Sequence, residues 1–215
     1  MNKGLFIVFE GLDGSGTSTQ ANLLLSSLNK LGLQSHLTSE PSSGPIGTFI
    51  RQSFKGRVNL SKGISPVTGN DLFDEQMAYL FAADRHDHLF NQVDGVFKLV
   101  KESRIVVSTR YFFSSLAYHT HNEYDMARVK DLNKAFPNPD LVVYFKGNVD
   151  VSLNRMESRA FKDEYENREK LELVYKNYEK IFKEYKGKLL TVNALNSVEE
   201  IHNEILEFVL EMIGN

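Results

Sequence analysis

The stretch FEGLDGSGTSTQ, residues 9–20, spaces glycines and hydroxyls as a phosphate-binding loop does. Gly11, Gly16 and Ser18 fit the pattern G-x-x-x-x-G-K-[ST], but Thr17 stands where that pattern has lysine. Gly11, Gly14 and Gly16 allow a tight turn that aims backbone N–H groups at one point. A helix starting near Ser18 adds the positive end of its dipole, so a loop of Gly14, Ser15, Gly16, Thr17, Ser18 and Thr19 can bind phosphate without a lysine. Ser18 is placed to offer its hydroxyl to a phosphate-bound Mg²⁺. The loop alone leaves a second reading open, an ordinary glycine-rich turn between a strand and a helix.

A phosphate loop needs a strand before it and a helix after it. Leu5–Phe9 is an apolar, β-rich run, and Ala21–Leu31 is apolar at helical spacing with Gly32 as its cap. Ser35–Thr38 reads as a second strand ending at Glu40-Pro41, and residues 42–70 read as loop with one or two helical turns over Ile46–Phe54. Asp71 is the expected N-cap of one long helix reaching about Lys101, with Leu72, Met77, Leu80, Phe81, Val93, Phe97 and Val100 along its apolar side. Arg104–Ser108 and Leu141–Phe145 read as third and fourth strands, apolar as buried parallel strands are. Helices are expected over Val149–Glu157, Arg168–Tyr185 and Val198–Met212, with a fifth strand at Leu189–Val192. Strands alternating with helices, with no internal repeat or linker, predict a single α/β domain with a parallel sheet.

The 215 residues, 41% hydrophobic and 25% charged, have the composition of a soluble globular protein. The net charge of −3 argues against a broad nucleic-acid-binding surface, while a few local arginines could still bind a phosphorylated small molecule. No apolar run approaches the roughly 20 residues of a membrane span. The lead from Met1 straight into a strand-like run predicts no signal peptide. Zero cysteines exclude disulfides and thiolate metal sites, and fit the cytoplasm. His86, His88, His119 and His121 have no acidic or cysteine partner at a recognised spacing, so no metal site is expected from them.

Segments downstream decide between the two readings of the loop. After FEGLDGSG come STQ at 18–20, EP at 40–41, GPIGTFIR at 44–51, LFAADR at 80–85, RYFFSSLAY at 110–118 and PDLVVYF at 139–145. In that order they closely resemble the thymidylate kinase family over essentially the whole chain. The resemblance implies a P-loop NTPase-type α/β fold: a three-layer sandwich with a five-stranded parallel sheet flanked by helices. It implies one kinase domain over 1–215 with a lid at about 154–168. It also implies transfer of the γ-phosphoryl group of ATP to dTMP with Mg²⁺, a cytoplasmic step of nucleotide biosynthesis, and usually a homodimer.

Carried over residue by residue, the resemblance makes Phe81 the ring that stacks on thymine and Arg85 the donor to its O4. The two are four residues apart, hence on one helix face, and their types suit stacking and donation. Without the family they would read as a core ring and a surface charge. Arg51 and Arg110 correspond to the clamp on the dTMP phosphate. Tyr118 corresponds to the ring against the deoxyribose, and Ser115 to a contact with the base edge. Asp13 corresponds to the loop carboxylate near the sugar 3′-OH and the reacting phosphates, and an Asp before Gly also forms turns. Arg155 and Arg159, with Lys162, fall in or beside the lid, where a run of charge is ordinarily a solvated face. Gly14 occupies the place where one subgroup has a loop arginine, so Arg155 and Arg159 are expected to reach ATP or the transition state.

Two residues depart from the family. Thr17 replaces the lysine, and Thr109 replaces the aspartate that precedes Arg110 and helps to position Mg²⁺. Both lost groups act on phosphoryl transfer through positioning and electrostatics. Either the site is re-wired, with lid arginines in place of the lysine and Asp13, Glu10 or Glu40 in place of the aspartate, or the chain is a catalytically silent nucleotide-binding homologue. A kinase for another nucleoside monophosphate is a third reading. The dTMP contacts Arg51, Phe81, Arg85, Arg110 and Tyr118 are all present, which favours the re-wired dTMP kinase, because a decaying site has no reason to keep its substrate pocket.

Overall fold

The computed structural model describes residues 4–157 and 168–214. Its centre is β1 (Leu5–Gly11), in which every residue is buried. Phe6 and Val8 point into one core and Leu5, Ile7 and Phe9 into another, as the two-residue period of a strand requires. A strand covered on both faces has no solvent side, which is why this run shows no polar alternation.

β1 pairs in parallel with β3 (Ile105–Thr109) and β4 (Leu141–Lys146). β2 (Ser35–Ser39) and β5 (Leu189–Asn193) form the edges, giving the order β2-β3-β1-β4-β5. On one face, α1 (Thr17–Lys30) and α9 (Val198–Gly214) pack Leu24, Leu28, Ile201 and Ile205 against the sheet. The other face carries α3 (Leu72–Phe90), α4 (Val96–Lys101), α5 (Phe112–Tyr118) and α8 (Arg168–Glu184). The remaining helices are α2 (Pro45–Phe54), α6 (Glu123–Asn133) and α7 (Val149–Glu157). The five-stranded, all-parallel sheet flanked by helices is the expected P-loop architecture.

The connection leaving β1 leads to β2 at one edge, and the chain leaving β3 crosses to β4 on the other side. The carboxyl ends of these two neighbouring strands therefore flank a topological switch point, the place where open α/β sheets bind ligands. The phosphate loop leaves one side of it and Arg110 the other.

One expected element is corrected. The single helix from Asp71 to about Lys101 is two helices, α3 and α4, broken at 91–95. The Asn91 side-chain carbonyl accepts the backbone N–H groups of Val93 and Asp94 at 3.0 and 2.9 Å, closing a turn. Gly95 then passes so near Asn91 that a Cβ there would lie 2.4 Å from its carbonyl oxygen. Val93, expected on the apolar side, is 82% exposed at this turn. Helices α5 and α6 had no counterpart in the sequence reading.

Asp71 does cap α3, its carboxylate accepting the backbone N–H of Asp74 at 2.8 Å. Asp71→Ala should therefore destabilise the protein by about 1 kcal/mol. The check is the urea unfolding midpoint, which should fall at unchanged slope.

Candidate functional site

The backbone between β1 and α1 turns through Gly14 (φ 79°) and Gly16 (φ 101°), both in the left-handed region that favours glycine. Gly16 is the N-cap of α1 and offers no side chain to the helix's first N–H groups, which leaves them to a ligand. A cavity of about 400 Å³ opens over this turn. It is lined by residues 13–20, by Glu40, Thr109 and Arg110, by Arg155, and by Ala194, Asn196, Val198 and Ile201 near the start of α9.

Position 14 is where α7 rests on the loop. A Cβ on Gly14 would sit 2.8 Å from the Ser152 carbonyl oxygen and 3.3 Å from the Met156 side chain, both on α7. The loop has given up its side chain so that α7 can rest on it. Arg155, between those two contacts, donates to the carbonyl oxygens of Gly14 and Ala194 at 3.3 and 3.4 Å. Arg159 and Lys162 lie outside the described residues.

Arg110 follows β3 with φ 75°, a left-handed backbone that costs a non-glycine residue strain. Three hydrogen bonds hold it there. Its N–H donates to Phe9 O (2.8 Å), Ser108 Oγ donates to its carbonyl (2.9 Å), and the next N–H, of Tyr111, donates to Glu10 (2.7 Å). The guanidinium pairs with Asp13 at 2.6 Å and lies 4.9 Å from the centre of the Tyr118 ring. The Tyr118 hydroxyl donates to the second Asp13 oxygen at 2.8 Å. Burial pushes the Tyr118 phenol up, so it stays a donor. Asp13, Arg110 and Tyr118 thus form one cluster facing the phosphate loop.

The remaining expected contacts fall elsewhere. Arg85 is fully buried, not a surface charge. Its Nε and Nη2 donate to Glu40 at 2.9 and 2.6 Å, Nη1 donates to Asn133 at 2.5 Å, and Nη2 also reaches Ser115 Oγ at 3.1 Å. Arg85 and Ser115, both expected at the base edge, are therefore in contact. Glu40 and Asn133 complete their network, and sequence reasoning missed both roles. Phe81 is partly buried, with its ring 5.5 Å from His119 and 6.3 Å from Phe54. Arg51 donates to the carbonyl oxygens of Pro41 and Ser42 and, at 3.2 Å, to Ser39 Oγ, closing the loop after β2. Among the histidines, His121 donates to Asp74 at 2.5 Å, and Lys170 donates to the same oxygen at 2.6 Å, tying α3 to α8.

The three candidate metal carboxylates all carry hydrogen bonds and differ in exposure. Glu10 has no exposed surface and accepts four hydrogen bonds: from Tyr111 N and Ser114 N on one oxygen, and from Ser114 Oγ and Tyr178 OH on the other. Those four donors fill its lone pairs. Glu40 is held by Arg85 and, at 3.4 Å, by His88. Asp13 also accepts, from Arg110 and Tyr118, but its side chain is 29% exposed where Glu10 and Glu40 are enclosed, and Ser18 and Thr109 line the same cleft. This all-oxygen set suits Mg²⁺, which takes one or two protein oxygens and completes its shell with phosphates and water.

The family model named "Thymidylate kinase" matches residues 9–205 of the chain. A protein of Thermococcus onnurineus named "Probable thymidylate kinase" is 39% identical over 211 residues, 95% of this chain and 97% of its own length. Proteins with the same name from Thermococcus kodakarensis and Methanococcus aeolicus are 37% and 35% identical over 216 residues. These alignments cover 98% of this chain in both cases, and 99% and 97% of the relatives.

Gly14→Ala tests the packing of α7 on the loop. The methyl meets both a positive φ and the Ser152 carbonyl. It should lower stability by about 1–3 kcal/mol and weaken nucleotide binding as well. Thermal unfolding with and without ATP reads both effects, and an unchanged ATP-induced shift would show that the loop tolerates the side chain.

Proposed function

The chain belongs to the thymidylate kinase family and is a nucleoside monophosphate kinase acting on dTMP, and we propose that the cleft between β1 and β3 is where the γ-phosphoryl group passes from ATP to dTMP. The observation that carries this reading is the Asp13–Arg110–Tyr118 cluster facing a phosphate loop over which Arg155 is laid. Backbone amides of the loop from Gly11 to Thr19 hold the ATP phosphates. Arg155 supplies the positive charge that Thr17 does not, and Arg159 is assigned the same task from the family resemblance alone.

Arg110 and Arg51 hold the dTMP phosphate. That phosphate is already anionic and attacks the γ-phosphorus directly, so neither a general base nor a covalent intermediate is needed; ATP and dTMP give ADP and dTDP. The pairing with Asp13 holds the long Arg110 side chain aimed at the cleft where that phosphate would bind. Tyr118 then borders the deoxyribose, Phe81 stacks on thymine, and Arg85 and Ser115 address the base edge from the network anchored by Glu40. Ser18, Asp13 and Thr109 would hold Mg²⁺, which supplies charge neutralisation on the phosphates.

The chain forms one kinase domain over 1–215 with its lid at about 154–168. It works in the cytoplasm; among the described residues no helix is long and apolar enough to cross a membrane. It acts as a homodimer, a view supported by an exposed stripe on α3, where Tyr79 (50%) and Phe90 (44%) lie on one face with Ala83 and His86. Tyr79→Arg should then shift the mass measured by light scattering toward the monomer.

The decisive experiment follows dTDP formation from ATP, dTMP and Mg²⁺. Arg155→Ala should lower kcat by about 10²-fold or more, as removal of a charge-stabilising donor does. Thr17→Lys should gain little, because the charge is already supplied. Binding of dTMP without turnover at high enzyme concentration would overturn the kinase in favour of a silent nucleotide-binding protein.

A further inference from the structure

α5 carries Ser114, Ser115 and Tyr118, and Arg110 stands two residues before it. Its N-cap residue, Tyr111, gives it no side-chain hydrogen bond. The missing acceptor comes from another element: Glu10 on β1 takes the N–H groups of Tyr111 and Ser114 at 2.7 and 3.3 Å. Its second oxygen takes the hydroxyls of Ser114 and Tyr178 at 2.7 and 2.8 Å. Ser114 Oγ, while donating to Glu10, accepts from Arg110 Nη1 at 2.9 Å. A continuous chain of donors therefore runs from the Arg110 guanidinium through Ser114 to a carboxylate lying one residue before the phosphate loop. Tyr178 ties α8 to the same oxygen.

We propose that Glu10 is a positioning residue for phosphoryl transfer, acting as an acceptor that fixes the start of α5 and, through Ser114, the direction of the Arg110 guanidinium. It touches neither substrate. It acts by keeping Ser114 Oγ turned so that its lone pairs face Arg110. An acid or an amide in place of the carboxylate would present a hydrogen to Ser114 or Tyr178, reversing that chain and releasing Arg110 toward Asp13 alone. This inference rests on the kinase reading given above.

The groups facing Glu10 are Arg110 beyond β3, Ser114 and the N–H of Tyr111 at α5, and Tyr178 on α8. Tyr118 lies beside Tyr178, and Asp13 lies on the far side of Arg110. Burial raises the Glu10 carboxyl from an ordinary 4.5 to about 7, against the lowering effects of Arg110, Ser114, Tyr178 and Tyr111. The acceptor form is thus lost as pH falls through about 7, and the protonated enzyme should behave like the amide variant.

The test compares wild type, Glu10→Gln and Tyr178→Phe in steady-state dTMP kinase assays across pH 5.5–9, an interval of about 1.5–2 units on each side of that value. Glu10→Gln should lower kcat/KM for dTMP about 10- to 100-fold, as a misplaced clamp does, while KM for ATP stays close to wild type. Its acid limb should flatten relative to wild type. The dTMP phosphate titrates identically in every reaction, so only the difference between profiles reports on Glu10. Tyr178→Phe keeps the carboxylate and the Arg110–Ser114 bond but removes the hydroxyl that donates to Glu10 and lies 2.9 Å from Ser114 Oγ, so its acid limb should move to higher pH. This second variant decides the matter if Glu10→Gln does not fold. An unmoved limb in Tyr178→Phe, or a Glu10→Gln enzyme with wild-type kcat/KM for dTMP, would overturn the proposal. An inactive wild type would instead remove the kinase reading on which it rests.

Discussion

Arg110 stands between two carboxylates that do different work. Asp13 meets its guanidinium directly on the cleft side at 2.6 Å, and Glu10 holds it from the buried side through Ser114. The residue itself sits in a left-handed backbone conformation that an arginine would not choose. That conformation persists because the backbone around it is hydrogen-bonded to β1 on either side, at Phe9 and Glu10. The adjacent strands β1 and β3 thus deliver the phosphate loop and the arginine to opposite sides of the same crevice in a fixed relation. The sheet order explains why there is a crevice at all, since the two connections leave it in opposite directions.

The second constraint is the absence of a basic residue from the loop. Amides and a helix dipole attract phosphate, but they supply partial charges only. A chain with threonine at 17 and glycine at 14 must bring a cation from elsewhere. The packing of α7 on Gly14 makes that possible: the contact that leaves no room for a side chain on the loop is the contact that sets Arg155 above it. Loss of the loop cation and approach of the helix are two aspects of one arrangement. This favours a coordinated change of the site over the accumulated damage of an idle one.

How far the sequence could be read depended on whether the information was local. The strands β1, β3 and β4 were legible because continuously apolar runs between turn residues have few other interpretations, while the edge strands β2 and β5 carry a weaker apolar signal. The glycines of the phosphate loop left an ordinary turn open, and the segments that resemble a family settled it, along with the roles of Asp13, Arg110 and Tyr118. The helix over 71–101 was misjudged because Val93, Phe97 and Val100 continue an apolar trend, while the break depends on a side chain–backbone turn at Asn91 and a close approach at Gly95. Read without the family, Arg85 looked like a surface charge. It is a buried ion with Glu40, a partner 45 positions away that no spacing rule connects to it.

Glu10 shows the same limit most sharply. In the sequence it is one letter of the FEG that opens the loop, visible only as a charge after an apolar run and as one of three candidate metal carboxylates. Its four donors come from residues 101, 104 and 168 positions along the chain. A carboxylate wholly enclosed by such donors is costly to desolvate, and a core would ordinarily exclude it or supply a full cation at contact distance. Here the nearest cation, Arg110, is held at one remove by Ser114 and faces the cleft. Had Glu10 paired with Arg110 directly, burial would be better compensated, but the guanidinium would be drawn away from the cleft. The hydroxyl between them keeps the carboxylate's influence on the arginine's direction while leaving the arginine's charge available to the cleft.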